Sequence, residues 1–321
     1  MSEIFAALKA GDRGYIDRAI SAGEAHPNLR DNNGSTLLHI AAEIKRNELA
    51  IIEMLLKNGW DVNSQNNLGA TPLHYAALRK DSGKKVASLL LKSLANTQIS
   101  TNLGHTALHL ACERYKPELV HLLLENKASP TSVDRNNNTP LHMLLLSPGR
   151  DTIAREIVEL LLKASGRPET KNRDGNDALL LACKQGYSKV CQLLMQSGGN
   201  PRTTNDQGNT LVHECAQAGH SELTDMLLDL EVPYINVTNI EGDTPLHLAV
   251  KNNHAEVAAS LIRKGASILA KNKLNKSPVD LLSYDEKNIF AIKHPDLIKL
   301  LNSRKPKSKV SEEDEIGCLV F

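Results

Sequence analysis

Apolar residues recur along the chain at helical spacing, as in Ile157, Leu160 and Leu161 and again in Val190, Leu193 and Leu194. That period puts them on one stripe of a helix. Polar turns separate the helical stretches, among them Asn66-Asn67-Leu68-Gly69, Asn172-Arg173-Asp174-Gly175 and Asn239-Ile240-Glu241-Gly242. In such a turn Gly supplies a positive φ and Asn or Asp caps its own backbone. A Thr then precedes Pro in three copies, Thr71-Pro72, Thr139-Pro140 and Thr244-Pro245, which sets a helix N-cap before a residue suited to the first helical position. The Thr-like position falls at Thr36, Thr71, Thr106, Thr139, Asp177, Thr210, Thr244 and Ser277, separated by 35, 35, 33, 38, 33, 34 and 33 residues. Each period therefore predicts a turn and two helices. One helix pair cannot bury its own stripe, so the units must stack into an all-α array.

The period, the phrase Thr-Pro-Leu-His at 71–74, 139–142 and 244–247, and the Asx-x-x-Gly turns ahead of it resemble the ankyrin repeat. The resemblance runs from about Ile4 to Asn302, with Ile4 to Gly23 reading as an opening helix pair and Pro278 to Asn302 as a closing one. It implies a solenoid of stacked helix pairs joined by β-turn or hairpin loops. The expected organisation is an array over residues 1–302, with about seven full repeats between capping pairs, followed by a disordered tail over 303–321.

Composition agrees with thin helical layers, because hydrophobic residues make up 41% of the chain and aromatics only 3%. A net charge of +1 gives no general case for nucleic acid. No apolar run approaches the roughly eighteen residues that would span a bilayer, and Met1 to Gly11 lacks the pattern of a signal peptide, so the body is expected to be soluble. The five cysteines, Cys112, Cys183, Cys191, Cys215 and Cys318, show no metal-ligand spacing. Three of them, Cys112, Cys183 and Cys215, stand where the ankyrin family carries its paired Ala, and the expectation is reduced, buried thiols.

Twelve histidines raise the question of catalysis or metal binding, yet His39, His74, His109, His142, His213 and His247 all hold the fourth position of the repeated phrase. The resemblance implies that this His bridges backbone groups of its own turn and the next repeat. Leu180 replaces it in the fifth repeat, which predicts a weaker junction there. No phosphate loop, nucleophile elbow or His-Glu-x-x-His motif occurs. The reading is a chain that is not an enzyme, with no catalytic residues, no metal and no cofactor.

Recognition is then the expected work. The resemblance implies a protein partner held on the concave face and turn tips, at positions that vary among repeats. Here Leu68, Leu103, Ile240 and Leu274 stand on tips, while Leu78, Arg79, Glu113 and Arg114 stand on first helices. Apolar tips are unusual where Asn or Asp would serve the turn, so the preferred patch joins Leu68, Leu78 and Arg79 to Leu103, Glu113 and Arg114. Trp60 replaces the family's Ala in Gly-Ala-Asp. It reads as an interface anchor with one exposed face, or else as a cover over the junction between repeats.

The tail carries two charge runs, Arg304, Lys305, Lys307 and Lys309 and then Glu312, Glu313, Asp314 and Glu315, which sum to zero. Its last residues, Cys318-Leu319-Val320-Phe321, resemble a C-a-a-X prenylation box, and the final Phe points to geranylgeranyl. That resemblance implies a protein prenyltransferase as a partner and a lipid-borne membrane contact through Cys318. One lipid beside a neutral tail predicts reversible attachment. The expected location is the eukaryotic cytosol and the cytosolic face of a membrane. An ankyrin array with such an ending also resembles effectors that intracellular bacteria deliver into host cells, and a eukaryotic origin stands equally open.

Overall fold

The computed structural model describes residues 2–81, 83–230 and 235–281. Among the described residues all regular structure is helical. The described residues divide into two compact units, with the boundary between residues 206 and 207.

The first unit opens with the short pair α1 (Ser2–Ala10) and α2 (Arg13–Ser21). Five longer-spaced pairs follow: α3 (Leu37–Glu43) with α4 (Glu48–Lys57), α5 (Pro72–Leu78) with α6 (Lys84–Lys92), α7 (Ala107–Glu113) with α8 (Pro117–Glu125), α9 (Pro140–Leu146) with α10 (Asp151–Lys163), and α11 (Ala178–Gln185) with α12 (Ser188–Gln196). The second unit contains α13 (Leu211–Ala218) with α14 (Ser221–Asp229), α15 (Pro245–Lys251) with α16 (Ala255–Arg263), and a 3-10 turn at Pro278–Leu281. The remainder of the expected closing pair lies outside the described residues.

First and second helices are built differently. In α3 the run Leu37 to Ala42 is buried on every side, because a first helix lies between those of its neighbours. In α10 only Ala154, Ile157, Val158 and Leu161 are buried, which is the single stripe its spacing predicts. Leu160 and Leu193 flank such stripes and stay half-buried. From α3 onward each first helix starts at its Thr-like anchor, extended in backbone, and in α3, α9, α11, α13 and α15 that side chain accepts the N–H three residues on.

The phrase histidines do what their position implies. In His74 the ring Nδ1 accepts the Thr71 backbone N–H at 3.0 Å, so the proton sits on Nε2, which donates to the carbonyl of His105 at 3.0 Å. His39 reaches Ala70 in the same way at 2.9 Å, His109 reaches Asn138 at 3.1 Å and His142 reaches Asn176 at 3.0 Å. In the second unit His213 reaches Asp243 at 3.0 Å and His247 reaches Lys276 at 3.1 Å. Burial pushes His74, His109 and His213 down to about 4, so these rings are neutral struts. Leu180 makes no such bond. Asp177 caps its helix through Leu180 N–H at 3.0 Å and accepts from the Thr203 hydroxyl at 2.5 Å.

The four described cysteines, Cys112, Cys183, Cys191 and Cys215, are buried and form no disulfide. Cys183 and Cys191 touch with sulfurs 3.6 Å apart. The loop that lengthens the fourth repeat is held down by two tyrosines. Tyr115 donates its hydroxyl to Leu144 and Ser147 carbonyls, Tyr187 accepts from Gly149 N–H at 2.7 Å, and the two hydroxyls meet at 2.9 Å. Any side chain at Gly149 would enter the Tyr115 ring. The insertion is thus packed structure.

Candidate functional site

Two neighbouring turns set up the site. In the first, Asn66 accepts the backbone N–H groups of Leu68 and Ala70, both at 3.0 Å, and Gly69 takes φ +72. A Cβ at Gly69 would lie 2.9 Å from the backbone nitrogen of Asn102, so only glycine lets the next turn approach. In the second, the Thr101 N–H donates to His105 at 2.9 Å and the Thr101 hydroxyl accepts the His105 N–H at 3.2 Å. Adjacent tips are laced together, Asn102 N–H to the Leu68 carbonyl at 2.8 Å and Arg135 N–H to the Leu103 carbonyl at 3.0 Å. Leu68 is left 66% exposed and Leu103 58% exposed.

Those two side chains border a cavity of about 750 Å³ that Leu78, at the end of α5, closes from the side. Tyr75 of α5 and Leu110 of α7 contribute to its lining, with Glu43, Lys45, Lys80 and His105 around it. Three exposed leucines around one apolar space differ from leucines scattered singly over a surface, which need no explanation. Polar groups within the cavity are already engaged. The Tyr75 hydroxyl accepts from Asn66 at 3.0 Å and lies 3.2 Å from the Ser35 hydroxyl, while its ring meets His39 edge-on. His74 is neutral and bonded at both nitrogens.

Two expected contact residues have other work. Arg79 is only 6% exposed. Its guanidinium donates to the Ala42 and Ile44 carbonyls at the end of α3, pairs with Asp81 at 2.7 and 2.8 Å, and lies 3.5 Å from Glu48. The Arg79 hydrogen bond holds Asp81 down to about 2. Arg79 thus borders the cavity as a helix cap whose charge is already neutralised. Trp60 is 3% exposed, with its Nε1 unpartnered among the described residues. It is buried and is not an exposed anchor: its ring fills space at the turn after α4, where Trp60 N–H bonds Leu55.

Of the remaining candidates, Leu68, Leu78 and Leu103 come together. Glu113 is half-buried and Arg114 exposed, and neither borders the cavity. In the second unit Ile240 and Leu274 stand on tips, 51% and 73% exposed. Cys318, Arg304, Lys305, Lys307 and Lys309 lie outside the described residues. Sequence reasoning passed over Tyr75, although it is the one aromatic that follows a phrase histidine; Ile40, Leu110, Met143, Glu214 and Leu248 hold that place elsewhere. It also passed over Lys45 and Lys80, whose nearness to the tips depends on stacking. Among the described residues no helix is long and apolar enough to cross a membrane, and no group of His, Cys, Asp or Glu is arranged to hold a metal.

The family model described as "Ankyrin repeats (3 copies)" matches residues 4–101, 81–172, 151–236 and 179–272. The human ASB11 ankyrin repeat domain superposes with a TM-score of 0.63 at 22% identity, over 74% of this chain and all of that one. The ankyrin repeat domain of Bcl-3, a member of the IkappaB protein family, does so with a TM-score of 0.54 at 24% identity, over 70% of this chain and 99% of that one. Both likenesses speak to fold. A stretch of 47 residues, 15% of the chain, is 47% identical to alpha-latrocrustotoxin-Lt1a of Latrodectus tredecimguttatus and spans 3% of that toxin.

Proposed function

The chain belongs to the ankyrin-repeat family, and from that premise we propose a non-enzymatic scaffold that docks a protein at the Leu68, Leu78 and Leu103 cavity and is tethered to a membrane by its tail. Ankyrin repeats bind protein partners. One observation carries the docking part: three exposed leucines from three separate segments line a single space of about 750 Å³, with the Tyr75 hydroxyl and the His74 ring beneath them already hydrogen-bonded internally. Such a surface loses little by dehydration and gains by covering apolar area.

The tether rests on sequence, on Cys318-Leu319-Val320-Phe321 as a prenylation box. A single lipid beside a neutral charge balance gives reversible contact with the cytosolic face of a membrane. The prenyltransferase is eukaryotic whether the chain is made in a eukaryotic cell or delivered into one as a bacterial effector.

Expression of the N-terminally tagged chain in eukaryotic cells tests both parts. Cys318→Ser moves the protein from membrane to cytosol, and identical diffuse distributions of the two forms would leave a soluble binding or inhibitory module in place of a tethered one. Leu68→Asp with Leu103→Asp abolishes recovery of the partners that wild type captures, and unchanged recovery would remove the cavity as the docking site.

A further inference from the structure

The cavity also constrains what kind of segment can enter it. Its bordering turns offer little to the backbone of an incoming strand: the Leu68 and Leu103 carbonyls accept from Asn102 and Arg135, and the Ala70 and His105 carbonyls accept from His39 and His74. A peptide that enters an apolar space without such partners must satisfy its own N–H and C=O groups, and a helix does so internally where an extended strand does not. Charge adds a second constraint. Arg79 and the Lys116 ammonium, which donates to the Arg79 carbonyl, together balance the two carboxylates of Asp81 and Glu48. Lys45, Lys80 and Glu43 are exposed and have no ion pair among the described residues, so the rim presents two positive charges against one negative.

We propose that the cavity receives an amphipathic helix of a protein partner, with two or three apolar side chains at i, i+3 or i+4, and i+7 seated among Leu68, Leu78 and Leu103 and with carboxylates beside them facing Lys45 and Lys80. A space of about 750 Å³ lies within the range of well-formed ligand sites and accommodates several such side chains. This deepens the protein-binding reading and rests on it.

The test selects displayed random peptides of about 16 residues, enough for four helical turns, on the immobilised full-length chain. Enriched peptides are titrated against wild type, Leu68→Asp/Leu103→Asp and Lys45→Glu/Lys80→Glu. The expected binders carry apolar residues at helical spacing with Asp or Glu flanking them, and gain helical circular dichroism on binding. They lose at least about tenfold in affinity with the leucine pair replaced, as hot-spot truncations do. Charge reversal weakens them about threefold to tenfold, more at low salt. Leucine-dependent binders that are extended, proline-containing or rich in Lys and Arg would overturn this inference and leave the cavity a protein site. If no binder depends on Leu68 and Leu103, the protein-binding reading falls as well. The lysine variant alters only exposed residues, so it keeps the test readable if the leucine variant melts early.

Discussion

At the scale of single residues, the phrase histidines link stability to pH. Each is neutral when folded because burial opposes its charge, and His74, His109 and His213 sit at about 4 against an ordinary 6.5. His39, His142 and His247 are shifted in the same direction. Folding therefore holds fewer protons than the unfolded chain between those values, and the stability these groups contribute, present above about 6.5, is lost as pH falls toward 4. A displacement from 6.5 to about 4 corresponds to roughly 3 kcal/mol for each of the three. Urea midpoints should fall steadily from pH 7 to pH 4.5, and a flat midpoint over that window contradicts neutral struts. Trp60 gives a second prediction. Trp60→Ala should cost about 3 to 5 kcal/mol by opening a cavity. Trp60→Phe should cost far less, since it keeps most of the ring and removes a buried N–H that has no partner among the described residues. Equal melting of wild type and Trp60→Ala would return Trp60 to the interface role, one of the two that its sequence position left open. A lone Trp in place of a family Ala is equally consistent with a contact and a filler, and only burial separates the two.

Among elements, the helix pairs and their anchors were legible because each is fixed within a few residues and repeated, and the histidine bridges, which reach 29 to 34 residues on, because the family resemblance implied them. The caps on the far ends of the first helices were not. Asn47 donates to Gly11 at 2.9 Å, Arg79 to Ala42 and Ile44, and Lys116 to Ala77 and Arg79, so these ends are closed by a residue 35 to 39 positions later, while Leu144 is closed by Tyr115, 29 positions earlier. The residue types differ at every copy, so no motif announces them. Burial pushes the Lys116 ammonium down to about 8 while it holds two carbonyls. This hidden layer is why Arg79 reads from sequence as a surface contact. The fifth repeat tests the bridges from the other side. It lacks the histidine, Asp177 and Thr203 supply one replacement bond, and the boundary between the two compact units follows at residues 206 and 207. Hydrogen exchange should be faster at the amides of 174–181 than at the corresponding turns around Thr106 and Thr139, and equal protection would show that the aspartate replaces the bridge fully.

At the scale of the molecule, the scaffold was legible and its use only partly so. Leu68, Leu78 and Leu103 stood out because apolar residues occupy places that polar ones serve equally well, but their meeting around one space, and the part played by Tyr75 and the lysines, exist only once repeats stack. The tail is read from Cys318 and its neighbours as sequence. The central claim is that the leucine cavity binds and does not stabilise. Leu68→Asp/Leu103→Asp, measured beside wild type by thermal melting and by titration with a captured partner, tests it most directly. The account predicts a melting temperature unchanged or slightly raised, because both side chains are more than half exposed, together with an affinity lost by about tenfold or more. An unchanged affinity, or a loss of binding matched by a loss of folding, contradicts it.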